Sequence, residues 1–134
     1  DNTFPDNDLA SPFASGSNHF DSLVILPCSI STLNKIASGI SDTLITRMAQ
    51  IALKERRRLI IAVRETPLDS ITLENALKLS NAGAIIAPVC PGLYMEESSI
   101  SDLANTFSKK ILSLIGAEKE NGWRSRDIHE PTEV

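Results

Sequence analysis

Aromatic side chains make up only 4% of the 134 residues, so any core must be built from aliphatic groups. Histidine is scarcer still, with His19 and His129 far apart, and the two cysteines, Cys28 and Cys90, each stand alone. No set of spacings among these four residues matches a metal centre or a disulfide framework. Both cysteines fall at the ends of apolar runs and are expected to be reduced, semi-buried small apolar residues. An excess of positive charge is also lacking: the net charge is -4 and the pI about 5.1, which gives no field to gather nucleic acid or an anionic membrane. No apolar run approaches the roughly 18 residues that a membrane span requires, and Asp1-Asn2-Thr3-Phe4-Pro5 does not read as a signal peptide. A cytoplasmic location is expected. What remains is 42% hydrophobic and 22% charged residues, ordinary for one globular domain that buries about two thirds of its unfolded surface.

The chain is organised around Leu59 to Val63, a continuous apolar run rich in branched residues, as expected of a strand buried on both faces. Arg64, Glu65, Thr66 and Pro67 follow at once, and the proline forbids the strand from continuing. In an open parallel sheet the ligand crevice lies beyond the carboxyl ends of the strands, which makes this cation and carboxylate site candidates by position. An exposed polar loop would look the same.

Before the run, residues 1 to 21 show neither a strand nor a helix period and read as loop, with the small-residue segment Ala14-Ser15-Gly16-Ser17 inside it. Ser22 to Pro27 is the first strand, ended by the proline. Cys28 to Thr32 is a hydroxyl-rich turn that leads into a helix marked by Ile30, Leu33, Ile36, Ala37 and Ile40 and closed by Gly39. Ser29, Ser31 and Thr32 thus lie at a helix N-terminus, where unpaired N–H groups favour an anion or a polar ring, although Ser29 acting as a plain cap explains the pattern equally well. Asp42 is placed to cap the next helix, Leu44 to about Arg56, on which Arg47 borders the apolar stripe and Lys54 lies seven residues on, near the same face. The cluster Arg56-Arg57-Arg58 is explained by favourable cations at a helix C-terminus on a solvated surface.

Beyond Pro67, Ile71, Leu73, Ala76, Leu77 and Leu79 space out a third helix that ends at Asn81 to Gly83, and Ala84 to Pro88 is a third strand. Ser101-Asp102 opens a long helix to Gly116. The sequence therefore predicts an α/β domain over residues 1–116 with a parallel sheet, and a tail over 117–134 that carries eight charged side chains and the lone Trp123. Three strands make a thin sheet, and no strand with a Gly-rich phosphate turn precedes Asp1.

Four strings, Ala14-Ser15-Gly16-Ser17, Leu26 to Leu33, Leu53 to Arg57 and Val63 to Pro67, followed by Pro91-Gly92-Leu93-Tyr94, together resemble the UbiX-type flavin prenyltransferases over roughly residues 10 to 116. The resemblance implies a Rossmann-like or flavodoxin-like three-layer fold, here without its first βα elements, and a homo-oligomer, a dodecamer, with sites at subunit contacts. It implies that FMN is joined, without a metal, to the dimethylallyl group of dimethylallyl phosphate at N5 and then C6, giving the prenylated flavin that UbiD-type decarboxylases use. Ser29, Ile30, Ser31, Thr32 and Arg64 would then hold FMN, Glu65 would be the acid/base residue, and Arg47, Lys54 and Tyr94 would bind the dimethylallyl phosphate. Lys110 stands where the family usually has an arginine on that phosphate, keeping the charge without the two-pronged geometry. The family's opening strand and Gly-rich turn are absent from this chain, which suggests a separate N-terminal fragment as a partner, or a degenerate relative.

Two other readings stand beside it. A flavin-dependent cysteine decarboxylase would show a Pro-Ala-Ser-Ala-Asn-Thr type turn and a catalytic histidine, where this chain has Pro27 to Thr32 and two histidines that do not fit. A non-catalytic FMN-binding or assembly module would keep the oligomer contacts without the phosphate turn.

Overall fold

The computed structural model describes residues 2–93 and 99–117. The chain divides into two compact units, Asp1–Cys90 and Pro91–Val134. The first holds a parallel sheet of three strands in the order β1-β2-β3, namely β1 (Ser22–Cys28), β2 (Arg58–Val63) and β3 (Ile85–Ile86). Three helices accompany it: α1 (Ile30–Ala37), α2 (Leu44–Lys54) and α3 (Ser70–Asn81). In the second unit the described element is α4 (Ile100–Leu114), and most of the predicted charged tail, with Trp123, lies outside the described residues.

β2 is the central strand, as its composition predicts, and every residue from Leu59 to Val63 is buried. Leu59, Ile61 and Val63 belong to one cluster with Leu33 and Ile36 of α1, Ala49 and Ala52 of α2, and Leu79. Ile60 and Ala62 alternate with them and are just as buried, so both faces of the strand are covered. Each large aliphatic residue so placed contributes roughly 1.5–3 kcal/mol of transfer free energy. Ala49 and Ala52 are fully buried, and their small side chains let α2, which packs on β1 and β2, come close to the sheet.

Several local expectations are corrected. β1 does not stop at Pro27 but runs through it to Cys28. Ile25 pairs with Ile61 and Cys28 with Val63, so one extra residue of β1 is accommodated as a bulge that frees the proline from the ladder. β3 is two residues long, inside the predicted run of 84–88. Asp42 is not the cap of α2: Thr43 is, through a reciprocal pair with Thr46 (Thr43 N to Thr46 Oγ1 3.0 Å, Thr46 N to Thr43 Oγ1 3.2 Å). Asp42 instead accepts from Lys35 at 2.8 Å, and this contact holds its carboxyl below the usual range. α2 ends at Lys54, and Arg56 takes a left-handed turn with φ 58°. On α3 the apolar spacing is split: Leu79 is buried and Ala76 packs on the core cluster, while Ile71, Leu73 and Leu77 are exposed and Thr72 is buried.

The predicted loop at the start is ordered by α2, apart from a single 3₁₀ turn at Pro12–Ala14. The Asp6 carbonyl accepts from Leu44 N at 2.7 Å and its carboxylate from Ile45 N at 2.9 Å, so two first-turn amides of α2 are satisfied from the far end of the chain. Further along, Arg47 and Arg57 donate to the backbone of residues 14, 16 and 18. The segment thus runs beside α2 in the same direction and enters β1 at Ser22, opposite Arg58. Among the described residues no helix is long and apolar enough to cross a membrane.

Candidate functional site

The three strands deliver their carboxyl ends side by side. Arg64 N donates to the Cys28 carbonyl at 3.1 Å, and Val89 N to the Val63 carbonyl at 2.8 Å. Ser29, Arg64 and the Val89-Cys90 turn therefore occupy one edge of the sheet, where parallel sheets place ligands. Ser29 caps α1: its Oγ accepts from Thr32 N at 3.2 Å and donates to Thr32 Oγ1 at 3.1 Å. Cap and candidate site are the same residue. The next two amides, of Ile30 and Ser31, make no hydrogen bond among the described residues, and Ser29 and Ser31 are exposed.

Arg64 and Glu65 are exposed at the end of β2. Among the described residues the Arg64 guanidinium has neither an ion-pair nor a hydrogen-bond partner. The Glu65 carboxylate accepts from Thr66 N at 3.1 Å, which sets its direction through its own loop. That loop leads into α3, whose cap Asp69 accepts from Thr72 N at 2.9 Å and from Thr72 Oγ1 at 2.8 Å; these two bonds hold the Asp69 carboxyl below its ordinary value. Asn34 of α1 donates to the Thr72 hydroxyl at 3.4 Å and accepts from Asn75 of α3 at 2.9 Å. The helix carrying Ser29 to Thr32 and the helix that follows Glu65 are thus pinned to each other by buried or half-buried polar groups.

Arg47 and Lys54 lie elsewhere. Arg47 Nε donates to the Ala14 carbonyl at 3.1 Å and Nη1 to Gln50 at 3.0 Å. Lys54 Nζ is 2.8 Å from Glu55 Oε1, and the pair closes over Gly16, where a Cβ would stand 3.1 Å from that oxygen and 3.3 Å from the ammonium. Lys54 precedes β2, whereas Arg64 and Glu65 follow it, and a strand of six residues spans roughly 20 Å. The sequence places all of these residues in one site; the fold of one chain sets Lys54 at the opposite end of β2 from Glu65. Seven residues along α2 do bring Arg47 and Lys54 to the same N-terminal segment, as the periodicity predicts.

One contributor escaped the sequence reading. Arg57, one of the three arginines expected on a solvated surface, is half-buried; it donates to the Gly16 and Asn18 carbonyls at 2.9 Å each and lies 4.6 Å over the Phe20 ring. The signal is an aromatic, Phe20, just before a strand paired with the arginine cluster, and it becomes legible only once the register Ser22 to Arg58 is known. The two cysteines also differ from expectation. Cys28 is fully buried, and burial pushes its thiol up from 9.0 to about 11, while Cys90 is exposed. Tyr94 lies outside the described residues, and Lys110 is exposed on α4 in the second unit. Among the described residues no group of three or more His, Cys, Asp or Glu could hold a metal ion.

A family model described as Flavoprotein matches residues 3–115. The chain is 52% identical over 113 residues to the flavin prenyltransferase UbiX of Thermoplasma acidophilum, which covers 84% of this chain and 63% of that protein. It is 42% identical over 130 residues to the UbiX of Methanothermobacter thermautotrophicus, covering 96% and 68%. The chain belongs to the flavoprotein family, among its UbiX-type flavin prenyltransferases. Two solved UbiX-type structures have the same fold. AnUbiX (PadA1), in complex with FMN and dimethylallyl pyrophosphate, superposes with a TM-score of 0.81 at 44% identity, covering 89% of this chain and 66% of that one. A dodecameric FMN-dependent UbiX-like decarboxylase from Escherichia coli O157:H7 gives 0.84 at 34% identity, covering 89% and 64%. The three parallel strands with flanking helices are thus the flavodoxin-like or Rossmann-like fold of the UbiX-type proteins. The chain spans 63% and 62% of the length of the first two UbiX relatives it matches.

Proposed function

We propose that this chain carries the flavin-holding and phosphate-holding elements of a flavin prenyltransferase, which joins the dimethylallyl group of dimethylallyl phosphate to N5 and C6 of reduced FMN. The carrying observation is the edge at the strand ends, which holds the open amides of Ile30 and Ser31, the exposed Ser29 and Ser31, and the exposed Arg64 followed at once by Glu65. Such a donor set fits a ligand that presents carbonyl and phosphate oxygens, as FMN does. FMN, when bound, supplies the nucleophilic nitrogen and carbon.

This chain's residues supply the rest. Ile30, Ser31 and Arg64 orient the flavin by donating to its oxygens. Glu65, held by Thr66 N, accepts or returns a proton at the flavin edge. Arg47 and Lys54 neutralise the charge that develops on the phosphate as its bond to the dimethylallyl group breaks. Tyr94 is assigned to the same phosphate by its match to the family motif, and Lys110 by standing where the family usually has an arginine.

The separation of Lys54 from Glu65 along β2 supports a homo-oligomer, because the phosphate-holding half of one copy then completes the flavin-holding half of another. The dodecameric relative supports the same assembly, and a UbiD-type decarboxylase is the expected consumer of the product. The test is anaerobic incubation of the purified protein with reduced FMN and dimethylallyl phosphate, followed by mass spectrometry of flavin and protein. A flavin heavier by one dimethylallyl unit is expected. Recovery of unmodified FMN alone overturns the enzymatic reading and leaves an FMN-binding module.

A further inference from the structure

Arg57 lies apart from the strand-end edge; after the hydrogen bond and charge of Lys54, its charge helps hold the Glu55 carboxyl below its ordinary value, and its own hydrogen bonds are directional. Its guanidinium spreads two N–H groups onto carbonyls two residues apart, Gly16 and Asn18, both at 2.9 Å, and presents its face to Phe20 at 4.6 Å. A planar fork suits this arrangement, and a lysine ammonium can reproduce neither the two parallel bonds nor the stacking. The segment so gripped is the one on which α2 also acts: Arg47 Nε, about two turns before Lys54, holds Ala14, and Lys54 and Glu55 close on Gly16 itself. Arg57 therefore fixes the height of Gly16 above the Lys54 ammonium from the carbonyl side. The left-handed turn at Arg56 returns the chain so that Arg57 can reach back to this loop, and Arg57 N donates to the Ala52 carbonyl at 2.8 Å.

We infer that Arg57 is a positioning residue for anion binding by Lys54 and Arg47: it clamps residues 16 to 20 so that the ammonium and the guanidinium stand at a fixed separation to receive a phosphate. This rests on the proposed assignment of that pair to the prenyl phosphate. Loosening the clamp displaces the pair by about the 1 Å that can cost roughly 100-fold when binding groups are pre-set.

The test is calorimetric titration of the full protein, wild type, K54M, R57K and R57A, with dimethylallyl phosphate and separately with FMN, together with each variant's Tm. R57K is expected to weaken dimethylallyl phosphate binding about tenfold or more while leaving FMN affinity and the stoichiometry of binding unchanged, with R57A weaker still. A stability defect alone would lower the Tm and leave the affinity of the folded fraction as it was. R57K decides the matter if R57A is not recovered folded. Unchanged affinity in R57K, alongside a clear loss in K54M, overturns the role of Arg57 and leaves the phosphate assignment standing. Full affinity in K54M overturns the assignment itself, and the inference with it.

Discussion

Cys28 and Cys90 carry the same group in opposite settings. Cys28 is packed in the core cluster and its thiol is pushed up to about 11, whereas Cys90 is exposed after β3. A thiol-specific alkylating reagent at mildly alkaline pH should label Cys90 alone in the native protein and both cysteines after unfolding, as peptide mass mapping will show. The folded state holds the Cys28 proton more tightly than the unfolded chain. Its stabilising effect is therefore complete below about pH 9 and is lost as the pH rises toward 11. Melting curves across that window should fall more steeply for the wild type than for C28A. Glu65 gives the chemical counterpart: E65Q should retain FMN binding and lose turnover by about 10²–10⁴-fold, the usual share of a general acid or base. The candidacy of Arg64 and Glu65 was legible because a strand run, a charge pair and a proline follow one another in sequence. The role of Arg57 was not, since its partners Gly16, Asn18 and Phe20 are about forty residues away and only the β1–β2 register brings them within reach.

At the scale of elements, one helix start was read correctly: Ser29 caps α1 at its hydroxyl-rich turn. Asp69, the cap of α3, was not read from the sequence, and α4 begins at Ile100 behind the cap Ser99 rather than at Ser101. For α2 two candidates stood next to each other, and Thr43 prevailed because Thr46 completes a reciprocal pair while Lys35 draws Asp42 away. T43A should cost about 1 kcal/mol in chemical denaturation, and D42A distinctly less, reversing the order that the sequence suggests. On α3 the leucines at 73 and 77 are exposed, and Thr72, its hydroxyl satisfied by Asp69 and Asn34, is buried together with Leu79. L77A should accordingly change stability by no more than about 0.5 kcal/mol, against roughly 2–5 kcal/mol for L33A at the fully buried position in α1.

For the molecule as a whole, β2 is the strand flanked on both sides and covered on both faces, so its amides should be the slowest to exchange with solvent. Hydrogen exchange read by mass spectrometry should show protection greatest at 59–63 and lower in the outer turns of α3. The parallel sense of the strands was legible from the alternation of apolar runs and helical spacings, whereas the order β1-β2-β3 comes from the fold. The division of the site residues between two ends of the sheet was not: sequence spacing reports neighbours along one helix face, and says nothing of which end of a strand a helix terminus meets.

Gly16 offers a final consequence. The backbone there is not left-handed, and the two atoms that an added Cβ would meet are the tips of long side chains that can swing aside. One extra carbon should therefore leave the melting temperature nearly unchanged while shouldering the Lys54 ammonium off its carboxylate. Gly16→Ala is a wedge one methyl group thick, able to report how finely the spacing of two charges is set without disturbing the fold that sets it.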